Sequence, residues 1–232
     1  MSAPNFWAVV PAAGIGSRMG ASVAKQYLPL LDATVIEYAL QPLLDHPLVK
    51  GVVVAVAADD HEFYRLPIAK HPKLRTVLGG SERAASVHAG LVALSGEAGQ
   101  DDWVLVHDAA RPCLNQNDLD KLINALQPGD CGAILAQPVV ETVKHSDGSG
   151  HIEHTLDRRL VYLAQTPQCF GLHELRDGYA HALDQQWSVT DEASVFECLG
   201  MHPRLVDGSR QNIKITHPDD LALASFYLTE KI

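Results

Sequence analysis

Short apolar runs alternate along the chain with stretches whose apolar residues recur three and four positions apart, a pattern that predicts a parallel sheet with crossover helices. The runs at 6–10, 51–56, 75–78, 103–107 and 132–136 predict strands. Each is almost continuously apolar, as expected of a strand buried on both faces. Between them, Thr34 and Glu37 stand at capping-box spacing ahead of Tyr38, Leu40 and Leu43, which predicts a helix start. Ser81 is predicted to open a second helix carrying Ala84, Val87, Leu91 and Leu94 on one face. Near the end, Thr216 and Asp219 bracket Pro218 at the favoured first helical position, and that helix is predicted to run to about Leu228.

Residues 138–157 break the alternation. Two alternating stretches, 139–145 and 151–155, flank Ser146-Asp-Gly-Ser-Gly150, a turn-rich linker suited to a hairpin. A two-stranded ribbon with so little core is marginal in water, so it is expected to pack against something, plausibly a second subunit. No internal repeat, low-complexity tract or linker divides the chain. The expected fold class is therefore α/β. It is a single Rossmann-like, mostly parallel sheet flanked by helices over 1–232, with a protruding β-hairpin arm at about 138–160.

Composition adds limits. The 232 residues are 47% hydrophobic and 20% charged, enough apolar material for a full core. A net charge of −10 argues against broad binding to a nucleic-acid backbone, although a few local cations can still hold a small phosphorylated ligand. Cys113, Cys131, Cys169 and Cys198 are widely spaced with no C-x-x-C pair, which fits free thiols in a reducing compartment. There is no apolar run long enough for a membrane span and no basic region followed by an apolar run at the start, so a cytoplasmic location is expected. Among the 12 histidines, His151 and His154 flank Glu153 in a polar segment without further ligands nearby and read as solvated side chains.

The strongest local signal is Pro11-Ala-Ala-Gly-Ile-Gly-Ser-Arg-Met19, directly after the first strand. Small residues at Ala12, Ala13, Gly14 and Gly16 let backbone N–H groups approach a polyanion, and Arg18 and Lys25 add positive charge. A dinucleotide-binding turn would need a third glycine where Met19 stands, and a P-loop would need Gly-Lys-Ser or Gly-Lys-Thr. The His107-Asp108-Ala-Ala-Arg-Pro112 segment follows an apolar strand, at the carboxyl end where open α/β sheets bind ligands.

With Arg18-Met19 and Lys25-Gln-Tyr27, the first loop resembles that of the sugar-phosphate nucleotidylyltransferases. Further matches narrow the resemblance to the 2-C-methyl-D-erythritol 4-phosphate cytidylyltransferase family of the non-mevalonate isoprenoid pathway. They are Gly79-Gly-Ser-Glu-Arg-Ala-Ala-Ser-Val87, Val106-His-Asp-Ala-Ala-Arg-Pro112, Gln165-Thr-Pro-Gln168, Thr190-Asp-Glu-Ala-Ser194 and Asn212-Ile-Lys-Ile215, in the family's order. The family often has an acidic residue where this chain has Ser81.

The resemblance implies transfer of CMP from CTP to 2-C-methyl-D-erythritol 4-phosphate with loss of pyrophosphate, assisted by Mg2+. Pro11, Ala12, Ala13, Gly14 and Gly16 would hold CTP, and the backbone near Ala12 and Gly80 together with Ser86 would select cytosine. Asp108 and Ala109 would meet ribose or the second substrate, with Asp108 also touching magnesium directly or through water. Arg111 would either bind substrate or form a structural ion pair. Arg18 and Lys25 would stabilise the transition state. Thr142, Arg158, Thr190 and Lys214 would hold the acceptor, with Arg158 and Lys214 positioning its phosphate. On their own, Arg158 beside Arg159 reads as a solvated basic pair, Thr190 as a helix cap, and Lys214 as an edge-strand lysine. Thr142 and Arg158 belong to the arm, which in the family swaps towards a partner subunit, implying a homodimer. Two alternatives stay open: a cytidylyltransferase for another polyol phosphate such as ribitol 5-phosphate, and a catalytically silent nucleotide-binding protein on the same fold.

Overall fold

The structure, a computed structural model, describes residues 4–14, 24–127 and 129–230. Strand β1 (Phe6–Pro11) leads to a two-residue ladder of β2 (Pro29–Leu30) and β3 (Ala33–Thr34), then to α1 (Val35–Asp45). There follow β4 (Val49–Val56), β5 (Leu74–Leu78), α2 (Arg83–Leu94), β6 (Trp103–Val106) and α3 (Gln116–Ala125). Beyond β7 (Gly132–Pro138), β8 (Lys144–Ser146) and β9 (Ile152–Thr155) form a separate ribbon. The chain closes with β10 (Tyr162–Gly171), α4 (Leu172–Asp184), α5 (Glu192–Cys198), β11 (Arg204–Asp207) and α6 (Asp219–Thr229).

Seven strands form one sheet in the order β11-β7-β10-β6-β1-β4-β5, parallel throughout except for β10. The chain runs outward from β1 through β4 to β5, then returns to β6 on the other side of β1. That reversal opens a crevice between the carboxyl ends of β1 and β6, where open α/β sheets take ligands.

Alternate side chains of the central strands enter two cores. Ala8, Val10, Val52 and Val54 face Ile36, Leu40 and Leu43 of α1 and Leu119 and Leu122 of α3. Val9, Val53, Val104 and Val106 face Val87 and Leu91 of α2, Leu175 and Tyr179 of α4, and Phe196 of α5. Helix α2 lies especially close to β1 at Gly90, where a Cβ would sit 2.5 Å from Val9 Cγ1. The capping box at Thr34 and Glu37 is present, with the Thr34 N–H donating to Glu37 Oε2 at 3.0 Å. Among the described residues no helix is long and apolar enough to cross a membrane.

Several boundaries differ from the sequence reading. Helix α2 starts at Arg83 with Glu82 at its N-cap, two residues after the expected opening at Ser81. Pro218 is itself the N-cap of α6, and the carboxylate that accepts from Thr216 and His217 belongs to Asp220, not Asp219. The arm's ribbon is shorter than its alternating stretches suggest, because only 144–146 pair with 152–155. The sheet also has two strands beyond the five expected, β10 and β11. Residues 212–216 pair in no ladder, so Lys214 is not on a strand. They are pinned instead by Ile215, which is buried with Leu30, Val35, Ala110 and Ala224, and by the Ile215 N–H donating to Ala110 O at 2.8 Å.

Candidate active site

A cleft of about 370 Å3 lies at this crevice, lined by Pro11 to Gly14, Lys25, Gln26, Gly80 to Arg83, Ser86, Asp108 to Ala110 and Lys214. Its first wall is the end of β1. The Ala12 N–H still donates to Ala55 O of β4 at 2.8 Å, so the chain leaves the sheet only after Ala12. The buried Gln26 side chain then ties the departing loop down, donating to Ala12 O at 2.8 Å and Gly14 O at 3.1 Å. Beside it the Lys25 ammonium donates to Ile215 O at 3.0 Å, linking the first loop to the segment that carries Lys214.

The second wall is the turn into α2. The Gly80 N–H donates to Ser86 Oγ at 3.1 Å, and that hydroxyl faces the carbonyls of Glu82 at 3.1 Å and Gly80 at 3.3 Å. The small residue at Gly80 is required by space, since a Cβ there would lie 2.4 Å from Ala85 Cβ. Small residues and a hydroxyl held in place by the backbone leave room on this turn for a flat heterocycle to be read by its edge.

The floor is electrostatic. Asp108 is 7% exposed and faces Lys214 Nζ at 2.7 Å, Arg83 Nε at 3.2 Å and Arg111 Nε at 3.7 Å. Burial opposes its charge, but Arg83, Lys214 and Arg111 outweigh burial and hold its carboxyl well below the usual carboxylate range. Arg83 in turn forks onto Glu192 at 2.7 and 3.0 Å, and Glu192, fully buried, also accepts from the Tyr179 hydroxyl at 2.7 Å. Burial works against the Arg83 charge too, but Glu192 and Asp108 keep the guanidinium firmly protonated. The site therefore concentrates positive groups around one carboxylate, an arrangement suited to a polyanionic ligand despite the acidic chain.

Beneath this floor His107 is neutral, because burial lowers its pKa to about 4. The Asp108 N–H donates to Thr166 Oγ1 at 3.0 Å, which leaves that hydroxyl to donate to His107 Nδ1, also at 3.0 Å. His107 Nε2–H then donates to Arg111 O at 3.1 Å. This order fixes the imidazole tautomer and the turn that aims Asp108. Thr166 comes from β10, the strand the apolar pattern did not reveal.

The cleft brings together ten of the expected site residues: Pro11, Ala12, Ala13, Gly14, Lys25, Gly80, Ser86, Asp108, Ala109 and Lys214. Gly16 and Arg18 lie outside the described residues. Arg111 sits under Asp108, not on the cleft surface, and its guanidinium donates to Asn212 O at 2.7 Å and Ala164 O at 3.3 Å. Thr190 is exposed just ahead of α5, whose N-cap is Asp191, not Thr190. Thr142 and Arg158 are exposed on the arm, with Arg158 donating to Val140 O, and neither lines the cleft. Three contributors were not singled out from the sequence: Gln26, Arg83 and Glu192. Arg83 and Glu192 stand inside matched motifs, but 109 positions separate them.

A parallel sheet with a glycine-bearing loop after its first strand, and a cation-rich cleft at its topological switch, defines a nucleotide-handling α/β enzyme. Comparison with known proteins narrows this class. The family model described as 2-C-methyl-D-erythritol 4-phosphate cytidylyltransferase matches residues 6–230. The protein of that name from Tolumonas auensis is 51% identical over 227 residues, covering 98% of each chain. Its namesake from Vibrio cholerae is 51% identical over 225 residues, covering 97% of each. A crystal structure of 4-diphosphocytidyl-2C-methyl-D-erythritol synthase superposes with a TM-score of 0.83 at 35% identity, covering 98% of this chain and 100% of the other. The Francisella tularensis cytidylyltransferase superposes with a TM-score of 0.81 at 34% identity, covering 96% of this chain and 99% of that one. The chain belongs to the 2-C-methyl-D-erythritol 4-phosphate cytidylyltransferase family, whose members are nucleotidyltransferases.

Proposed function

We propose that this cleft transfers the cytidylyl group of CTP to 2-C-methyl-D-erythritol 4-phosphate, giving 4-diphosphocytidyl-2-C-methyl-D-erythritol and pyrophosphate. The observation that carries the reading is the gathering of Lys214, Arg83 and Arg111 around Asp108, with Lys25 lining the same cleft, in a chain of this family. Residues 1–232 act as one catalytic unit in this reading, with the arm at 138–160 as an attachment. Four free cysteines fit the cytoplasmic setting expected from the sequence.

Cytosine meets the backbone at Ala12 and Gly80 and the Ser86 hydroxyl, and the triphosphate runs along Ala13, Gly14 and Gly16. The attacking group is an oxygen of the acceptor's phosphate monoester, whose second pKa is about 6, so it is mostly a dianion at neutral pH. No general base is required. The new bond forms to the α-phosphorus while the bond to the α,β-bridging oxygen breaks, and pyrophosphate leaves with the electron pair. What the protein must offset is charge, and Arg18 and Lys25 do so at the pentacoordinate transition state. Lys214, held by Asp108 at 2.7 Å, is poised to receive the acceptor phosphate. Burial pushes the Cys113 thiol up to about 12, which removes it as a nucleophile.

Magnesium fits this donor set. It takes six oxygens, most of them from nucleotide phosphates and water, and one protein carboxylate is sufficient. Asp108 would be that carboxylate, through water or a remaining lone pair, since Lys214 and Arg83 already face its two oxygens. When bound, the ion neutralises triphosphate charge.

The arm supports a homodimer. Val140, Ile152, Leu160 and Leu163 are large apolar side chains left exposed on it and its flanks, 82% in the case of Leu160. Docked on a second copy, the arm would carry Thr142 and Arg158 to the partner's cleft, completing an acceptor site that neither residue reaches within its own chain. Pyrophosphate release with CTP, Mg2+ and a panel of polyol phosphates tests the function. Methylerythritol phosphate should be turned over far faster than ribitol 5-phosphate, and the reverse order would assign a different acceptor.

A further inference from the structure

The ribbon of the arm carries a group of donors with no part in nucleotide chemistry. His145 Nδ1 lies 2.7 Å from Glu153 Oε2, and His154 Nδ1 lies 3.7 Å from the same oxygen. One ligand atom from each of the three residues falls within 4.8 Å of the others. The two imidazoles face each other across the ribbon, with ring centroids 4.8 Å apart and planes 24° from parallel.

Regular strand geometry would not assemble this group. Neighbouring strand residues point to opposite faces, so Glu153 and His154 should diverge. The register explains why they do not. His145 pairs with His154, while Ser146 pairs with Ile152, so Glu153 is an extra residue without a partner. A bulge of this kind re-aims a side chain, and here it turns Glu153 towards the imidazole pair. From spacing alone His151 and His154, which flank Glu153, read as solvated side chains, and the register pairs His154 with His145. His151 belongs to the turn instead, where its Nδ1 meets Ser149 Oγ at 2.9 Å.

We infer that His145, Glu153 and His154 form a binding site for a borderline divalent transition ion, zinc foremost. Two imidazoles and a carboxylate are a zinc donor set and disfavour magnesium or calcium, which prefer oxygen. Ligands about 2.1 Å from zinc at a tetrahedral angle stand roughly 3.4 Å apart. The two imidazoles stand 2.7 and 3.7 Å from the carboxylate and all three ligand atoms lie within 4.8 Å, so rotation of the exposed side chains brings them onto one ion. Water supplies the fourth position. The bound ion cross-links β8 to β9, strands of three and four residues that would otherwise hold together weakly. If the arm completes the partner's site as proposed above, the ion stiffens the element that carries Thr142 and Arg158. The metal site itself does not depend on that reading.

The test is zinc binding to the intact chain without nucleotide, followed by competition with a chromophoric chelator. Wild type should bind one zinc per chain at this site. His145→Ala and His154→Ala should each weaken it tenfold or more, since losing a ligand costs at least what losing a residue that only hydrogen-bonds a ligand does. Both residues are exposed, so both variants should keep the wild-type melting temperature in chelator. Cys198→Ser, which removes an exposed thiol elsewhere, should bind as wild type does. Equal zinc affinity in wild type and in a His145→Ala/His154→Ala double variant would overturn the proposal. So would loss of the tight site in Cys198→Ser.

Discussion

Replacing Glu192 with Gln tests whether the buried ion pair holds up the floor of the cleft. Glu192 is fully buried and its Arg83 partner's side chain is 29% exposed, joined by two hydrogen bonds of 2.7 and 3.0 Å. Removing one member of a buried pair costs about 3–5 kcal/mol, because the remaining charge loses its compensation. Here Arg83 keeps Asp108 as a second partner at 3.2 Å and some contact with water, which favours the lower end, about 3 kcal/mol. At about 2–4 °C per kcal/mol for a protein of this size, the melting temperature should fall by about 6–12 °C. Urea unfolding followed by circular dichroism at pH 7 measures the loss directly. Arg83→Met/Glu192→Met, with two apolar side chains, should recover most of that stability but not the activity, because Asp108 then lacks one of its anchors. A Glu192→Gln protein within about 1 kcal/mol of wild type would refute the argument that this pair carries the site.

Three further outcomes are expected. His107 has a folded pKa of about 4 against an unfolded value near 6.5, so between these values the unfolded chain binds a proton that the folded chain does not. Stability should therefore fall as pH drops from about 6.5 to 4, by up to about 3 kcal/mol, and His107→Gln should remove that part of the slope in urea midpoints against pH. Lys25→Ala or Arg18→Ala should lower turnover about a hundredfold or more, with melting temperatures that show an intact fold; near-normal turnover in either would sink the charge-stabilisation role. Mixing Arg158→Ala chains with Lys25→Ala chains should restore part of the activity by subunit exchange, because one site in the heterodimer escapes both lesions. No recovery in demonstrated heterodimers would mean that each site is built within one chain.

Much of the framework is readable in the sequence because the central strands are covered on both faces, leaving continuous apolar runs in β1, β4 and β6. The first loop was readable as a ligand loop for a similar local reason, since Pro11 to Gly14 carry only small side chains directly after a strand. Strand β10 escaped because its middle is polar. Gln165, Thr166 and Gln168 are buried there, and their partners Ser209, His107 and Asp191 are distant in sequence. The Arg83–Glu192 pair is hidden in the same way, since an arginine in the first turn of a helix reads as solvated until its partner is known. Lys214 misled for the opposite reason. Ile213 and Ile215 give 212–215 a strand-like alternation, but those apolar side chains pack with Leu30 and Ala224 while the backbone joins no sheet. The His145–His154 pairing depends on a bulge, which the residue spacing alone did not reveal.

Phosphorus NMR of the reaction mixture shows whether the first-loop cleft joins a cytidylyl group to a phosphate monoester. Wild-type enzyme given CTP, Mg2+ and 2-C-methyl-D-erythritol 4-phosphate should consume the monoester resonance and yield two coupled diphosphate resonances with one equivalent of pyrophosphate. A Lys214→Ala protein should slow the conversion markedly while still binding CTP. Hydrolysis of CTP with the monoester untouched, or conversion by the Lys214→Ala protein at the wild-type rate, would mean that the cleft does not work this way.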